Sequence, residues 1–168
     1  MAIVIGGKHF GQYTYEHWFD EEYETETERI KKTRAGINPI GVCGRHCDYC
    51  PLGQWCGSCR SDYNCCSLGS QFENNICPNV DCAKNNNLNG CYECDKIDDC
   101  KIGYYGKNNE YMAKASALFI KKHGEECFSK ALMHAIKAGE IYPKTFDNTG
   151  SVSGILEILE KYFKIKLL

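Results

Sequence analysis

The sequence predicts a small α-rich protein in which zinc holds together an irregular cysteine-rich module with some helices and little or no β-structure. Its 168 residues are about one domain in length, and 43% hydrophobic residues with a net charge of −2 exclude a disordered polyelectrolyte or a membrane protein. Twelve of its thirteen cysteines lie in the 58 residues from Cys43 to Cys100. Residues 108–168 instead place apolar side chains at helical spacing. Three segments follow: residues 1–40, 41–107 and 108–168.

The first segment, residues 1–40, is predicted to be an N-terminal extension with one helix. Acidic residues from 21 to 28 precede basic residues from 29 to 34, an order that suits the helix dipole. Phe19, Tyr23 and Ile30 stand at helical spacing, and Gly36 followed by Asn38 and a proline would end the helix. A short strand is expected at residues 2–5. The charge run is interpreted as a solvated helix face rather than a binding tail.

The second segment, residues 41–107, is expected to be a metal-binding module. Residues 41–100 are rich in Cys, Gly, Asn and Asp and show almost no helical or strand periodicity. Such a segment cannot bury enough apolar area to offset its chain entropy unaided. Apparent zinc-binding free energies in small sites are about 10–16 kcal/mol, so metal ligation can replace a hydrophobic core here.

The cysteine spacing indicates about two zinc ions. A Cys-x2-Cys turn can place both sulfurs about 2.3 Å from one Zn²⁺, with backbone N–H groups donating to them. We predict that each ion takes four ligands from its own group of five thiols, the choice within each group being open. The first group is Cys43, Cys47, Cys50, Cys56 and Cys59, and the second is Cys77, Cys82, Cys91, Cys94 and Cys100.

Three further cysteines and one histidine need separate interpretations. Adjacent residues rarely both reach one tetrahedral ion, so Cys65 and Cys66 are one ligand and one free thiol, ligands to different ions, or a vicinal redox pair. Cys127 shares a predicted helix face with two alanines and is expected in the core. His46 could replace a thiolate, but we expect it at the surface.

The cysteine usage also predicts the compartment. The first ten residues lack the pattern of a signal peptide, and no apolar run approaches the ~18 residues of a membrane span. An odd number of cysteines without export signals favours reduced thiols. We therefore expect a cytoplasmic protein, not associated with a membrane, whose clustered thiols bind metal rather than form disulfides.

The third segment, residues 108–168, is predicted to form three helices packed on the module. Apolar stripes end near Gly124 and at Gly139, where a left-handed cap is natural. The third helix should begin with Ser151 or Ser153 as its N-cap. We expect this last helix to be a candidate contact surface for a protein partner or for self-association.

The charge distribution argues against nucleic-acid binding by the module. Residues 41–100 hold four Lys or Arg against eight Asp or Glu, and four thiolates around zinc would add about −2 per site. A surface this negative repels phosphate. Residues 101–145 hold eight lysines against four glutamates, but lysines on outer helix faces usually only meet water. Nucleic acid is therefore not the expected partner.

The runs CGRHCDYCP, CGSCR and CPNVDCAKNNNLNGCYEC, ending at Cys100, resemble the prokaryotic cysteine-rich family catalogued as domain of unknown function 3795. The resemblance covers roughly residues 41–100. It departs from the family pattern before Cys100, where Asp98 and Asp99 replace Phe-Pro. It implies zinc binding and supplies no established activity.

Two other function classes use the same residues. Cys43, Cys47 and Cys50 match the C-x3-C-x-aromatic-C spacing that holds a [4Fe–4S] cluster in radical S-adenosylmethionine enzymes, so an iron–sulfur protein is one alternative. That chemistry needs a parallel barrel, for which the sequence shows no strand-helix alternation. Thiol-based redox chemistry or metal trafficking is the other alternative. No hydrolase or phosphoryl-transfer motif is present, so we expect a binding or scaffolding protein rather than an enzyme.

Overall fold

The structure is a computed structural model, and it describes residues 34–52, 56–61, 66–73 and 76–165. The strand predicted at residues 2–5, nearly all of the helix predicted before Gly36, and Cys65 lie outside the described residues.

Helices dominate the described part of the chain, which confirms the predicted α-rich fold with little or no β-structure. Within these ranges strand-like structure is limited to isolated bridges, such as the antiparallel one between Ile40 and His46. The α-helices are α1 (Pro78–Asn85), α2 (Met112–His123), α3 (Glu125–Lys137), α4 (Lys144–Asp147) and α5 (Val152–Phe163).

Three long helices form the C-terminal part, as predicted. Helix α5 packs against both α2 and α3, and α2 also contacts α3. The apolar stripes meet in a core in which Phe128, Leu132, Ile155 and Leu159 are fully buried. The short α4 was not predicted; its four residues are too few to show a period, and it buries Phe146.

The helix ends follow their sequence signals. The Ser151 side chain accepts a hydrogen bond from the Gly154 N–H at 3.0 Å, which confirms it as the N-cap of α5. Gly139 has φ +99° two residues after the end of α3, as the predicted left-handed cap requires.

The cysteine-rich part is built from short turns around α1. Four 3₁₀ segments are present among its described residues: Cys47–Tyr49, Ser67–Gln71, Cys91–Glu93 and Gly103–Gly106. Pro78 begins α1 at a position where its missing N–H costs nothing. Gly44, at φ +94°, lies so close to α2 that a Cβ there would be 2.7 Å from the Ala117 nitrogen. This approach anchors the module on the helices.

His46 is buried, so the prediction of a surface position was wrong. Only 4% of its surface is exposed, and its ring lies between those of Tyr49 and Phe128. Nε2 is 3.3 Å from the Ser129 hydroxyl, and the backbone N–H donates to the Tyr142 hydroxyl at 3.0 Å. The turn at Gly44 brings this segment onto α3, a long-range contact that local sequence does not show. Burial lowers the pKa of His46.

Two further predictions concern the helices. Cys127 is half-buried and packs against the hydrophobic core, as expected for its helix face. Among the described residues, no helix combines the length and the apolar character needed to span a bilayer.

Candidate metal centre

Seven cysteines line one largely enclosed cavity of about 40 Å³. The other lining side chains are mostly apolar and include Leu68, Val80 and Tyr104. Sulfur is therefore the main ligand atom that faces this space. We call it the first cavity, and its cysteines are Cys43, Cys47, Cys50, Cys56, Cys59, Cys66 and Cys77.

Three of these thiols lie close enough together to affect one another's protonation. Hydrogen bonding toward Cys56 and Cys59, together with burial, raises the pKa of the Cys66 thiol well above its ordinary value. The Cys59 sulfur also accepts the backbone N–H of Val42 at 3.4 Å, the interaction expected for a ligand thiolate in a tight turn. The Cys66 hydrogen bond, with the Val42 N–H and the Arg60 charge, lowers the pKa of Cys59 to about 7 against the opposing effect of burial.

The other thiols of the first cavity are held in their protonated form in the absence of a cation. Burial raises the pKa of Cys43 well above its ordinary value, and the neighbouring Cys77 and Cys59 add to the shift. Burial likewise raises the pKa of Cys47, of Cys50 and, to about 11, of Cys77. A thiophilic cation that replaced these protons would remove the cost of burying so many thiolates.

One buried cation already lies at this cavity. The Arg45 side chain is 9% exposed, lines the first cavity, and pairs with the Glu110 carboxylate at 2.9 Å. Its guanidinium carbon stands 5.3 Å from the centre of the Tyr104 ring. The charge of Arg45 acts against the raised pKa values of Cys43 and Cys50. Sequence reasoning missed this residue, because nothing local indicates that an arginine between cysteines is buried.

Four cysteines line a second, open space of about 620 Å³, which we call the cleft. Cys91 is buried, whereas the other three are half-buried. The 3₁₀ turn at Cys91–Glu93 forms the predicted Cys-x2-Cys loop, with the Cys94 N–H donating to the Cys91 carbonyl at 3.1 Å. The cysteines of the cleft are Cys82, Cys91, Cys94 and Cys100.

Two lysines of α2 hold the cysteine loop of the cleft. Lys121 donates to the Cys94 carbonyl at 2.9 Å. Lys114 donates to the Cys100 carbonyl at 3.1 Å and to the Asp98 carbonyl at 2.6 Å. Part of the positive charge of residues 101–145 therefore stabilises the cysteine-rich module.

Asn79 stands between the two cysteine groups. It is 1% exposed, and its side-chain oxygen accepts the Tyr104 N–H at 2.8 Å. That oxygen is 3.9 Å from the Cys77 sulfur, and the amide nitrogen is 3.9 Å from the Cys91 sulfur. A buried amide that contacts a cysteine of each group was not predicted, because the contact depends on how α1 packs.

The structure gathers the ten predicted ligands into two groups, but not in the predicted division. All five of the first group line the first cavity, and Cys66 joins them. Cys77 lines that cavity too, whereas Cys82 lines the cleft with the rest of the second group. Cys77 is the N-cap of α1 and Cys82 lies five residues further, so the helix turns the two side chains to different sides.

The cysteine groups supply the donor atoms of a metal site without forming a finished coordination sphere. Apart from Cys56, the cysteines in the described ranges are free thiols. In these ranges no set of three or more His, Cys, Asp or Glu side chains is arranged to hold a metal ion. The donor chemistry fits a thiophilic ion such as zinc, and ligation would require the sulfurs of a group to draw closer together.

Comparisons of the chain with protein-family models, with curated proteins and with solved structures found no match. The resemblance to the cysteine-rich family catalogued as domain of unknown function 3795 therefore stays a prediction.

Proposed function

We propose that this chain is a zinc-binding protein whose cysteine thiolates hold about two structural zinc ions, one at each cysteine group. The zinc-stapled module then serves a binding or scaffolding role in the cytoplasm rather than catalysis. One observation carries the proposal: seven cysteines line the first cavity and four line the neighbouring cleft.

The electrostatics of the first cavity favour a bound cation. The seven cysteines of this cavity, four of them buried, give this part of the protein little hydrocarbon to pack, and the raised pKa values of Cys43 and Cys77 oppose the formation of bare thiolates. Zn²⁺ replaces the thiol protons and forms strong bonds to sulfur, so its binding free energy becomes folding free energy.

The volume of the first cavity favours a single ion over a cluster. The 40 Å³ of this cavity is only about three times the roughly 10–15 Å³ that a cavity needs to hold one water molecule. An iron–sulfur cluster needs room for several irons and inorganic sulfides. Moreover, the described residues contain no strand from which the barrel of a radical S-adenosylmethionine enzyme could be built. The cleft is larger and has room for an iron–sulfur cluster. The experiment must therefore distinguish zinc from such a cluster at the cleft.

Elemental analysis and a visible spectrum of protein purified without oxygen test the proposal. We expect colourless protein with about two equivalents of zinc. Cys59→Ser should lower the zinc content, whereas Cys127→Ser is the matched control, because Cys127 packs on the helical core away from both cysteine groups. Brown protein containing iron would replace the zinc proposal with the cluster, and metal-free protein would contradict both.

The binding role needs an accessible surface, and the apolar stripe of α5 is not one. Ile155, Leu159 and Tyr162 are buried against α2 and α3. Among the described residues, two of the large exposed apolar side chains follow the ends of α3 and α5, with Ile141 60% exposed and Ile165 46% exposed, whereas Ile102 belongs to the cleft. A protein partner or a second copy would therefore contact these ends.

Light scattering of the Ile141→Lys and Ile165→Lys double variant tests self-association. We expect a smaller oligomer than for the unchanged chain at the same concentration, with the helical circular dichroism retained. Lys137→Ala, an exposed change on the same helix bundle, is the control. An identical mass for all three proteins would contradict self-association through these ends.

A further inference from the structure

The two cysteine groups differ in how far solvent reaches them. The first cavity is largely enclosed and about 40 Å³ in volume, and Cys43, Cys56 and Cys59 are each less than 10% exposed. The cleft is open and about 620 Å³, and of its cysteines only Cys91 is buried. A ligand from solution can therefore approach the sulfurs of the cleft but not most of those of the first cavity.

Charged residues line the mouth of the cleft. The acidic Glu93, Asp95 and Asp99 and the basic Lys96 and Lys101 all line it. Carboxylates beside the mouth raise the local concentration of divalent cations and so favour their entry. Among the described residues that line the first cavity there is no carboxylate, and the buried Arg45 is the one charged side chain.

The loop that carries the cleft cysteines is also fixed from outside. Lys114 and Lys121 hold the backbone carbonyls of Cys94 and Cys100, and Asn79 contacts Cys91. The two lysines contact main-chain carbonyls, and Asn79 contacts the sulfur of the buried Cys91. Within the described part of the chain, the helices hold this loop by main-chain carbonyls and not by the half-buried sulfurs of Cys94 and Cys100, so loss of a metal bond there would not require the loop to unfold.

We propose that the cleft is an exchangeable zinc site that passes its ion to an external thiolate, whereas the first cavity retains its ion. This inference rests on the proposed zinc binding. In each step of the transfer an incoming thiolate forms a bond to Zn²⁺ and the bond from zinc to one cysteine of the cleft breaks, beginning with a half-buried one, until external thiolates alone hold the ion. The released cysteine thiolate takes a proton from water. No electron is transferred, and zinc stays in the same oxidation state.

Stopped-flow release of zinc from the full chain tests the proposal. The zinc-loaded protein is mixed with a chromophoric zinc chelator in excess, alone or with glutathione as the external thiol. We expect two phases of about one equivalent each, differing at least about tenfold in rate, because the apolar shell of a metal site controls solvent access. Glutathione should accelerate the fast phase and leave the slow phase unchanged.

Alkylation of the zinc-loaded wild-type protein identifies which site releases first without any substitution. During the fast phase, iodoacetamide labelling read by mass spectrometry should appear on Cys94, Cys100 and Cys82. Labelling of Cys47 and Cys50 in that phase would overturn the proposal, since both line the first cavity.

Two variants form a matched pair for the same measurement. Cys100→Ser should abolish the fast phase and keep the slow one, whereas Cys50→Ser, also a half-buried cysteine, should keep the fast phase. A fast phase that survives Cys100→Ser but disappears in Cys50→Ser would overturn the proposal, as would a single release rate for two bound equivalents. Protein that binds no zinc would instead overturn the proposed function on which the inference rests.

Discussion

The helical part and the cysteine-rich part of this protein bury different kinds of side chain. In the long helices most of the fully buried side chains are hydrocarbon, such as Phe128, Leu132 and Ile155, with Ser116 a polar exception. In the module many of the buried groups are sulfur or polar, including Cys59, Arg45 and Asn79. Burial of hydrocarbon stabilises by itself, whereas burial of thiols and charges stabilises only when partners compensate for lost solvation. The two parts should therefore respond differently to metal, to cavities and to pH.

Removal of metal should give the largest effect, and it should separate the two parts. If zinc supplies about 10–16 kcal/mol at a site, a chelator will unfold residues 41–100 while α2, α3 and α5 keep much of their helical structure. Amide chemical-shift dispersion by NMR, before and after chelation, measures this for each part. Native dispersion of the cysteine-rich residues in metal-free protein would show that the module does not depend on metal.

A cavity in the hydrocarbon core should instead lower the free energy of unfolding and leave zinc binding unchanged. Phe128→Ala removes a fully buried ring from α3, and we expect the free energy of unfolding to fall by about 3–5 kcal/mol. Zinc content in the folded protein should not change. Phe163→Ala is the control, because that ring is 36% exposed and should cost much less. Urea denaturation and elemental analysis give the two quantities, and equal losses for both variants would contradict the expected core.

Substitution of a glycine beside Asn79 should disturb the contacts that Asn79 makes with both cysteine groups. In Gly103→Ala the new Cβ would lie 2.2 Å from the Asn79 side-chain oxygen, at a φ of +55°. We expect a loss of about 1–3 kcal/mol in stability from strain and forced repacking, together with weaker zinc binding.

Gly139→Ala is the matched control for this substitution. Its φ is +99°, but a Cβ there meets nothing within 4 Å. It should cost stability through backbone strain alone and leave zinc affinity unchanged. Thermal unfolding and competition with a zinc chelator distinguish the two variants, and equal zinc affinity in both would remove the structural role assigned to Asn79.

Low pH should weaken the contact that His46 makes between the cysteine-rich part and the helical part. We expect this to be the smallest of the effects. Burial lowers the pKa of His46 from its ordinary value of 6.5. Below about pH 6.5 the unfolded chain therefore binds a proton that the folded chain does not, and stability falls as pH falls. One such proton changes the free energy of unfolding by at most about 1.4 kcal/mol per pH unit.

The His46→Phe variant isolates this contribution. Phenylalanine keeps an aromatic ring against Tyr49 and Phe128 but does not titrate. With zinc saturating, its stability between pH 7 and pH 5 should fall less steeply than that of the unchanged chain. Parallel stability curves in denaturant for the two proteins would show that the buried ring does not control this pH dependence.

Local sequence was sufficient for the three long helices of the C-terminal part and for the presence of the thiol clusters, but not for α1 and α4. The stripes around Phe128 and Ile155, the Ser151 cap and the glycine at 139 each act within one or two turns, so their signals are contained in neighbouring residues. The two Cys-x2-Cys pairs of the first group and the pair at Cys91 are equally local.

Tertiary structure decided which thiols meet and which polar residues are buried. Cys77 faces the first cavity because of its position at the start of α1. Cys66 lies near Cys59 although a loop separates them in sequence. Arg45 and His46 are buried by residues far away in the chain. Each of these outcomes depends on where segments far apart in the chain come together. Periodicity and spacing depend on neighbouring residues only. They contain no information on which distant segments pack together, so only the tertiary structure could determine these contacts.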